Sequence, residues 1–421
     1  MSRTSKAYIA GIYEHPTRKA IDKTIPQLHM ESAIGAVQDA GLTMADVDGY
    51  FCAGDAAGLG GLSMAEYMGL DVRYTDSTET GGSSYVIHVG HAMNAIAMGK
   101  CSVALITLAG RPRAEGVATL GTRDYGNSLP DLGFEAPYRP VVTNQYAMAA
   151  MRHMHEFGTT SEQLAWVKVA ASHHAQHNEH ALLRDVVTVE DVVNSPIITD
   201  PLHRLDCCVI TDGGGALVVV SPEVAKTLGD RCAKILGHGE AIKHLNAGQV
   251  DLTYTGAVKS GPIAFDEAGL TPADIDYVSI YDSFTITVVE TLEDLGFCEK
   301  GQGGKFVSDG NLISGVGKLP FNTDGGGLCN NHPNNRGGIT KEIEAERQEP
   351  ILVETGDHGH DRPAKERYLG RGQGLIADEH DGFLVADLLV GSLNVAAAEA
   401  GAGGRLLLGR PMGMAASGEA A

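Results

Sequence analysis

The chain alternates between long apolar runs and segments in which apolar residues recur with helical spacing. The run CSVALITLAG at 101–110 has the unbroken hydrophobicity of a strand that is buried on both faces. The stretch GGALVVVSPEVAKTL at 214–228 predicts a strand, a Ser-Pro turn and a helix, in which Pro222 suits the first helical turn. CAKILGHGEA at 232–241 predicts another strand. This alternation is typical of an α/β protein.

A short internal repeat lies within this alternation. Residues 40–50 read AGLTMADVDGY and residues 268–278 read AGLTPADIDYV, so seven of eleven positions are identical at an offset of 228. Each copy follows a predicted helix and precedes an apolar run, so helix, turn, short helix and strand occur twice. Chance similarity over eleven residues is the alternative, but the shared context favours a duplicated fold.

The repeat divides the chain into two predicted halves. Residues 1–232 form the first half, which contains an inserted segment at 111–205 that lacks the strand–helix rhythm. Residues 233–348 form the second half. Residues 349–421 are first charged and Gly-rich and then rich in Ala and Gly, which predicts an atypical C-terminal tail that is partly disordered.

Composition argues against several classes of function. The 421 residues carry 32 basic and 53 acidic side chains, so the formal net charge is −21 and a nucleic-acid-binding face is not expected. The seven cysteines include no C-x-x-C pair, so we expect no zinc ribbon within the chain. No apolar run reaches the length of about 18 residues that a membrane span needs, and the N-terminus lacks a signal-peptide core. These features favour a reducing cytoplasm.

The stretch STETGGSSYVIHVGHA at 77–92 predicts a junction of strand, turn and helix. The double glycine that ends at Gly82 allows close approach of the backbone, and free N–H groups near Ser83 and Ser84 would stabilise negative charge. Either serine would be a nucleophile if His88 served as its base. Because no G-x-S-x-G elbow is present, helix capping is the favoured role of both serines.

Four motifs resemble one family of α/β enzymes. They are GGSSYVIHVGHAMNAIAMGKCSVALI, LDCCVITDGGGALVV, IDYVSIYDSFT and LPFNTDGGGLCNNHPNNRG. Together with the two similar halves, they resemble the thiolase superfamily, and within it the thiolase-like lipid-transfer proteins related to the sterol carrier thiolases, over residues 5 to about 347. The resemblance implies a thiolase fold, with a layered α-β-α-β-α core, an inserted loop domain and a homodimeric assembly.

The same resemblance implies chemistry on an acyl-CoA. In thiolases a cysteine at the start of the helix attacks the thioester, whereas the matching position here is Gly82 and no cysteine lies nearby. This pattern resembles that of the steroid side-chain aldolases, which cleave a β-hydroxyacyl-CoA without an acyl-enzyme. It implies reversible carbon–carbon cleavage, a retro-aldol, with coenzyme A as part of the substrate and no tightly bound cofactor or metal.

Three motif residues are the first candidates for chemistry. Tyr281 opens YDSFT where sterol carrier thiolases have a histidine, and its reference pKa of about 10 suits an acid, a hydrogen-bond donor or a proton relay. His332 in NNHPNNRGG matches the histidine that helps to build the family's thioester oxyanion hole. The alternatives are a core tyrosine and a turn histidine. Asp282 is expected either to orient a neighbour or to cap the helix that follows it.

Further residues of these motifs complete the predicted site. Cys329 lies three residues before His332, and a Cys–His pair is able to act covalently, although a small buried thiol is much commoner. By resemblance, the oxyanion and substrate-binding residues are Gly82, Ser83, Ser84, Asn322, Gly326 and Asn331. Near Asn331 the aldolase relatives carry a tyrosine, so the chain departs from them at this position.

Two rival functions stay open. The first is thiolase-type acyl transfer that uses Cys329 or another nucleophile, and the second is a non-catalytic subunit that binds acyl-CoA or lipid. Some relatives work only with a small OB-fold/zinc-ribbon protein, so the resemblance implies a partner of that kind. Relatives also end in a glycine-rich catalytic loop and a last strand, and the sequence after residue 347 contains no similar element.

Overall fold

A computed structural model of the chain describes residues 6–116, 141–229, 232–243, 250–333, 337–347 and 383–386. In these ranges the strands are β1 Tyr8–Glu14, β2 Gly49–Phe51, β3 Tyr74–Asp76, β4 Val103–Gly110, β5 Ile197–Thr199, β6 Leu202–His203, β7 Gly213–Val220, β8 Ala233–Gly239 and β9 Phe383–Ala386. The α-helices are α1 Ile25–Asp39, α2 Gly61–Met68, α3 Ser84–Ala97, α4 Val142–Phe157, α5 Ser161–Ala175, α6 Val189–Val193, α7 Pro222–Leu228, α8 Ala257–Ala268, α9 Thr285–Asp294, α10 Gly303–Val307, α11 Gly326–Cys329 and α12 Gly338–Arg347. None of the helices in these ranges is long and apolar enough to cross a membrane.

Most of the described strands form one mixed sheet, in the order β3-β2-β4-β7-β1-β8-β9. Strand β2 is parallel to β3 and β4, and β7 is antiparallel to β4 and β1. The second half joins through β8, which pairs with β1, and β9 is parallel to β8. The predicted strands β4, β7 and β8 are therefore confirmed, as is Pro222 in the first turn of α7. The sequence interpretation missed β1, although it lies between β7 and β8.

The central strands are buried on both faces, as their unbroken apolar runs predict. In β4, Leu105 packs with the cluster that contains α1 and α2, whereas Ile106 packs with the cluster that contains α3 and α12. A fully buried side chain of this size stabilises the fold by about 1.5–3 kcal/mol relative to an exposed one. Helices thus cover both faces of the sheet, which confirms the α/β class. The packing of α3 with α12 also places the start of α3 beside the second half.

Both copies of the repeat have the same local structure up to one point. Residues 44–46 and 272–274 are 3₁₀ turns, and in each the aspartate that ends the turn accepts a hydrogen bond at 2.8 Å from the N–H of the threonine before it. The first copy then continues into β2. In the second copy, the described residues form only a single β-bridge, from Val278 to Phe321, so the prediction of a second strand is wrong.

A third hydrophobic cluster lies away from the sheet. It joins α4 and α5, which follow one another between 142 and 175, to α9, α10 and α11 of the second half. Within it the ring of Phe284 stacks on that of Tyr146, with centroids 4.3 Å apart. This packing fixes the position of Phe284, the residue that precedes α9. The predicted boundaries after 232 and 348 stay predictions, and the tail at 349–421 lies outside the described residues except for β9.

Candidate active site

Tyr281 and Gly82 are in contact at the start of α3. A Cβ atom built on Gly82 would lie 2.3 Å from the Tyr281 hydroxyl oxygen and 2.5 Å from its ring carbon Cζ. Gly82 does not have a positive φ, so this contact, and not backbone conformation, is what requires glycine here. The position at which a thiolase nucleophile is expected therefore has no room for a side chain while the Tyr281 ring stays in place.

His332 also contacts the Tyr281 side chain. The Tyr281 hydroxyl lies 2.9 Å from His332 Nε2, and the two rings meet edge to face. The Gly337 N–H donates to the same hydroxyl at 3.4 Å, and the His332 N–H donates to Thr211 Oγ1 at 2.8 Å, which fixes the start of the His-Pro turn. The structure thus brings together Tyr281, His332 and Gly82, which the sequence places in three separate motifs.

The Tyr281 phenol is neutral near pH 7. Burial raises the pKa of Tyr281 well above its usual value, and the neighbouring Tyr146 and Cys208 add to the shift. A neutral phenol that accepts the Gly337 N–H donates its own proton towards His332 Nε2, which requires the His332 tautomer that is protonated on Nδ1. This geometry suits a hydrogen-bond donor or proton relay, and it does not suit a free phenolate.

Asp282 lies behind the site and caps a helix that is distant in sequence. Its Oδ1 accepts the Gly327 N–H at 2.7 Å and its Oδ2 accepts the Leu328 N–H at 3.1 Å, both at the start of α11. Helix α9, which follows Asp282 in the chain, has no side-chain cap from its N-cap residue Phe284. The prediction that Asp282 caps the following helix is therefore wrong, and its second predicted role, orienting a neighbour, describes its contacts.

Lys341 neutralises Asp282 inside the protein. The Lys341 ammonium lies 3.2 Å from Asp282 Oδ1, and both side chains are almost fully buried. Burial by itself would lower the pKa of Lys341, but Asp282, with help from Asp324, outweighs it and holds that pKa above its usual value. Lys341 therefore stays protonated as the buried counterion of Asp282, and the pair as a whole is neutral.

Two residues that were expected to bind substrate hold the backbone instead. The Asn322 amide accepts from the Ile280 N–H and donates to the Ile280 carbonyl, both at 2.8 Å, so it fixes the run that ends at Tyr281. Asn331 donates to Glu14 at 2.9 Å and accepts from the Thr211 hydroxyl. Both side chains are fully buried, and the oxygen and the nitrogen of each amide already have hydrogen-bond partners. The expectation of direct substrate contact is therefore corrected: both residues have a positioning role.

Gly326 also serves packing. Its φ is +61°, and a Cβ atom at this position would lie 2.2 Å from Asp282 Oδ2. Glycine is therefore required both by the left-handed backbone and by the approach of the carboxylate. This position lets Asp282 reach the N–H groups of α11, which is again a positioning role and not the expected contact with substrate.

The two serines at the start of α3 differ from each other. Ser84 Oγ donates to the Gly81 carbonyl at 2.7 Å and so closes the turn before the helix. Ser83 is the N-cap residue but makes no side-chain capping bond, so the capping prediction for Ser83 is wrong. His88 does not serve as a base for either serine, because its Nε2 donates to the Thr78 carbonyl and burial lowers its pKa to about 4.

Cys329 points away from His332. Its Sγ accepts a hydrogen bond from the Lys168 ammonium at 3.0 Å, and Lys168 also donates to the Leu328 carbonyl at 2.7 Å. Burial raises the pKa of the Cys329 thiol, although Lys168 opposes the shift. The described contacts of Cys329 thus do not include His332, and Cys329 is a buried thiol in the third hydrophobic cluster, which is the role that the sequence favoured.

A small pocket opens beside Tyr281. It is lined by Ser83, Val86, Ser279, Tyr281, Gly338, Lys341 and Glu342. The sequence interpretation predicted Tyr281 and Ser83 but missed the three residues from α12. The segment KEIEAER has the charge density of an exposed helix face, so nothing in it indicated that Lys341 and Glu342 lie against the site.

The chain resembles known proteins over most of its length. A protein-family model described as thiolase C-terminal domain-like matches residues 239–359. A steroid side-chain-cleaving aldolase from Thermomonospora curvata is 34% identical over 352 residues, which cover 80% of this chain and 89% of the relative. An acetyl-CoA acetyltransferase from Methanothermobacter thermautotrophicus is 31% identical over 350 residues, which cover 80% of this chain and 88% of the relative.

A solved structure agrees with these relatives. The Ltp2-ChsH2(DUF35) aldolase aligns with a TM-score of 0.74 and 33% identity, and the alignment covers 81% of this chain and 89% of that chain.

Proposed function

This chain belongs to the thiolase superfamily, and from that premise we propose that it is an acyl-CoA lyase of the aldolase type. It cleaves the Cα–Cβ bond of a β-hydroxyacyl-CoA without forming an acyl-enzyme. The observation that carries this proposal is the contact between Tyr281 and Gly82, which leaves no room for a nucleophilic side chain at position 82. The steroid side-chain-cleaving aldolase among the relatives supports the same reaction class.

The chemistry needs proton transfer and stabilisation of an anion. A base removes the proton of the β-hydroxyl group, and the electrons of that O–H bond form a carbonyl group. The electron pair of the Cα–Cβ bond moves into the thioester to give an enolate, and Cα then receives a proton. The products are a ketone or an aldehyde and a shorter acyl-CoA, and no step requires a covalent bond to the protein.

The site supplies groups for these needs. The N–H groups at the start of α3, near Gly82 and Ser83, stabilise the enolate oxygen, since the N-terminal end of a 14-residue helix favours negative charge. His332, which was expected to share this role, uses its Nε2 to accept the Tyr281 hydroxyl. The neutral Tyr281 phenol, held by His332, delivers the proton to the enolate carbon.

Thiolase-type acyl transfer is the second candidate, because one relative is an acetyl-CoA acetyltransferase. It needs a nucleophile that the described site does not offer. Burial raises the pKa of both Cys329 and Cys208, so neither thiol is activated near neutral pH. The retro-aldol reaction, which needs no nucleophile, is therefore favoured.

Several further properties form part of the proposal. Coenzyme A is proposed as part of the substrate, with no other cofactor. A partner protein is proposed, which is supported by the two components named in the solved Ltp2-ChsH2(DUF35) aldolase. That this partner is a small OB-fold/zinc-ribbon protein stays a prediction. A homodimer and a cytoplasmic location stay predictions.

A product analysis tests the reaction. The purified chain, with and without the partner, is incubated with β-hydroxyacyl-CoA thioesters that carry steroid, aromatic or aliphatic groups, and products are followed by liquid chromatography and mass spectrometry. Equal amounts of carbonyl product and shorter acyl-CoA support the proposal. Turnover confined to a β-ketoacyl-CoA plus free CoA would show acyl transfer instead. Tight binding without any turnover would favour a non-catalytic acyl-CoA-binding subunit.

A further inference from the structure

Glu342 lines the pocket beside Tyr281, and the described part of the chain offers its carboxyl group no specific interaction. Its side chain is partly buried on α12. Within the described ranges, no hydrogen bond or ion pair reaches its carboxyl group. The group is thus sheltered from water without a partner, although it lies on a wall of the same pocket as the Tyr281 phenol.

Three other charged residues of this helix have structural partners. Lys341 pairs with Asp282 at 3.2 Å, Glu344 accepts a hydrogen bond from Thr323, and Arg347 pairs with a buried glutamate of β1. These contacts attach α12 to the rest of the protein. Glu342 contributes nothing of this kind, so its placement in the pocket has no structural explanation of its own.

The electrostatic surroundings suit proton transfer near neutral pH. Burial raises the pKa of Glu342 to about 7, whereas burial raises that of Tyr281 well above its usual value. The charged and titratable groups around the pocket are Lys341 on the same helix and Tyr281, with Asp282 behind it, while the α3 wall contributes only Ser83 and Val86. Two acidic groups with separated pKa values in one pocket are the usual arrangement for a base and an acid.

We propose that Glu342 is the general base of the retro-aldol step, and that Tyr281 is the acid. The inference rests on the proposed function and assigns its missing base. The Glu342 carboxylate takes the proton of the β-hydroxyl group as the carbonyl forms and the Cα–Cβ pair moves into the enolate. Tyr281 then gives its proton to Cα, and the proton on Glu342 returns to the phenolate. No net proton is released, and the sum of the products equals the substrate.

The pH profile of kcat tests this role with three variants. For the wild type, kcat should rise with pH through about pH 7, the pKa at which Glu342 loses its proton. Glu342→Gln should lower kcat by about 10²–10⁴-fold and abolish the rise of kcat with pH. Glu342→Asp keeps a carboxylate, so kcat should still rise with pH but from a lower rate. Glu66→Gln, on an exposed position of α2, is the matched control and should leave rate and profile unchanged.

A second measurement does not depend on turnover. In the chain labelled with ¹³C at the glutamate carboxyl carbons, the resonance that disappears in Glu342→Gln belongs to Glu342, and it should titrate at about pH 7. An ordinary glutamate pKa of about 4.3, or a Glu342→Gln variant that keeps the rate and the rise of kcat with pH, overturns the inference while the proposed function stands. Failure of the wild type to cleave any thioester of the panel overturns the proposed function, and the role of Glu342 with it.

Discussion

The hydroxyl group of Tyr281 lies 2.9 Å from Nε2 of His332, and the same phenol ring fills the space beside Gly82. One aromatic side chain therefore both blocks the position of a covalent nucleophile and provides a proton at that position. In the proposed mechanism, this explains how a thiolase fold without the reactive cysteine still acts on an acyl-CoA. The catalytic group is the Tyr281 phenol, which belongs to a different motif.

A side chain restored at position 82 should damage the enzyme and not convert it into a thiolase. In Gly82→Cys the new Cβ atom would lie 2.3 Å from the Tyr281 hydroxyl oxygen, so the ring must move away from His332. We expect kcat/KM for cleavage to fall on the order of 10²-fold, since small misplacements of a catalytic group have effects of this size. Steady-state kinetics with the β-hydroxyacyl-CoA and with a β-ketoacyl-CoA plus CoA measure both activities.

A double-mutant cycle provides the control for this contact. Gly82→Ala should lower the free energy of unfolding in the wild type but much less in a Tyr281→Ala background, where the ring is gone. Equal losses in the two backgrounds would show that Gly82 does not need the space that Tyr281 occupies.

Loss of the Tyr281 hydroxyl should affect catalysis far more than binding. In Tyr281→Phe the ring still packs against Gly82, but no proton is available to His332 or to the substrate. We expect kcat to fall by about 10²–10⁴-fold while KM changes little. Tyr67→Phe on α2, an exposed tyrosine, is the matched control. A rise in KM alone, with kcat intact, would assign Tyr281 to substrate recognition.

The buried pair of Lys341 and Asp282 should be essential to stability. Lys341→Met leaves the Asp282 carboxylate buried without its cation, which should lower the free energy of unfolding by about 3–5 kcal/mol. Adding Asp282→Asn removes the uncompensated charge and should recover part of this loss, since an amide oxygen still accepts one N–H of α11. Urea denaturation of the single and double variants measures the effect, and a double variant no better than the single one would contradict it.

Removal of the Cys329 thiol should leave the reaction intact. The thiol is buried beside Lys168 and away from His332, so Cys329→Ala should keep kcat and its pH profile, with some loss of thermal stability. Comparison of kcat for the variant and the wild type is the measurement. A complete loss of turnover in a folded variant would support the acyl-transfer alternative.

His91 should stabilise the protein more at low pH than at high pH. Its Nδ1 lies 2.7 Å from Asp76 and its Nε2 lies 3.0 Å from Glu240, so only the doubly protonated ring donates to both. The hydrogen bond to Asp76, with a further contribution from Glu240, raises the pKa of His91. Its contribution is therefore fully present below the unfolded-state pKa of about 6.5 and is lost as pH rises through the higher folded-state value.

Melting temperatures of His91→Gln and the wild type at pH 6 and pH 9 test this dependence. The difference between the two proteins should be larger at pH 6. His155→Gln, an exposed histidine on α4, is the control and should show the same small difference at both pH values. A His91→Gln difference that grows with pH would contradict the assignment.

Local patterns predict much of this fold correctly. The apolar runs of β4 and β7 and the Ser-Pro start of α7 need only near neighbours in sequence, and so do the two 3₁₀ turns of the repeat. The resemblance to thiolase-like motifs also points to Gly82, Tyr281 and His332, because each lies at a position that matches a motif of that family.

Contacts that depend on tertiary structure were not predictable in the same way. Asp282 caps a helix 45 residues further along the chain, and the Asn331 amide is used by Glu14, 317 residues away. Glu342 is the sharpest example, since its charge suggests an exposed helix face and only its position on the pocket wall gives it a chemical role. Burial decides the chemistry of such residues, and burial is a property of the fold.

The central claim is that a thioester substrate is cleaved without bonding to the protein. The most direct test is an intact-mass measurement of the chain after acid quenching during turnover of a β-hydroxyacyl-CoA. We predict the unmodified mass at every time point while carbonyl product and shorter acyl-CoA accumulate. A population of protein that gains the mass of an acyl group, and loses it when substrate is exhausted, would contradict the account.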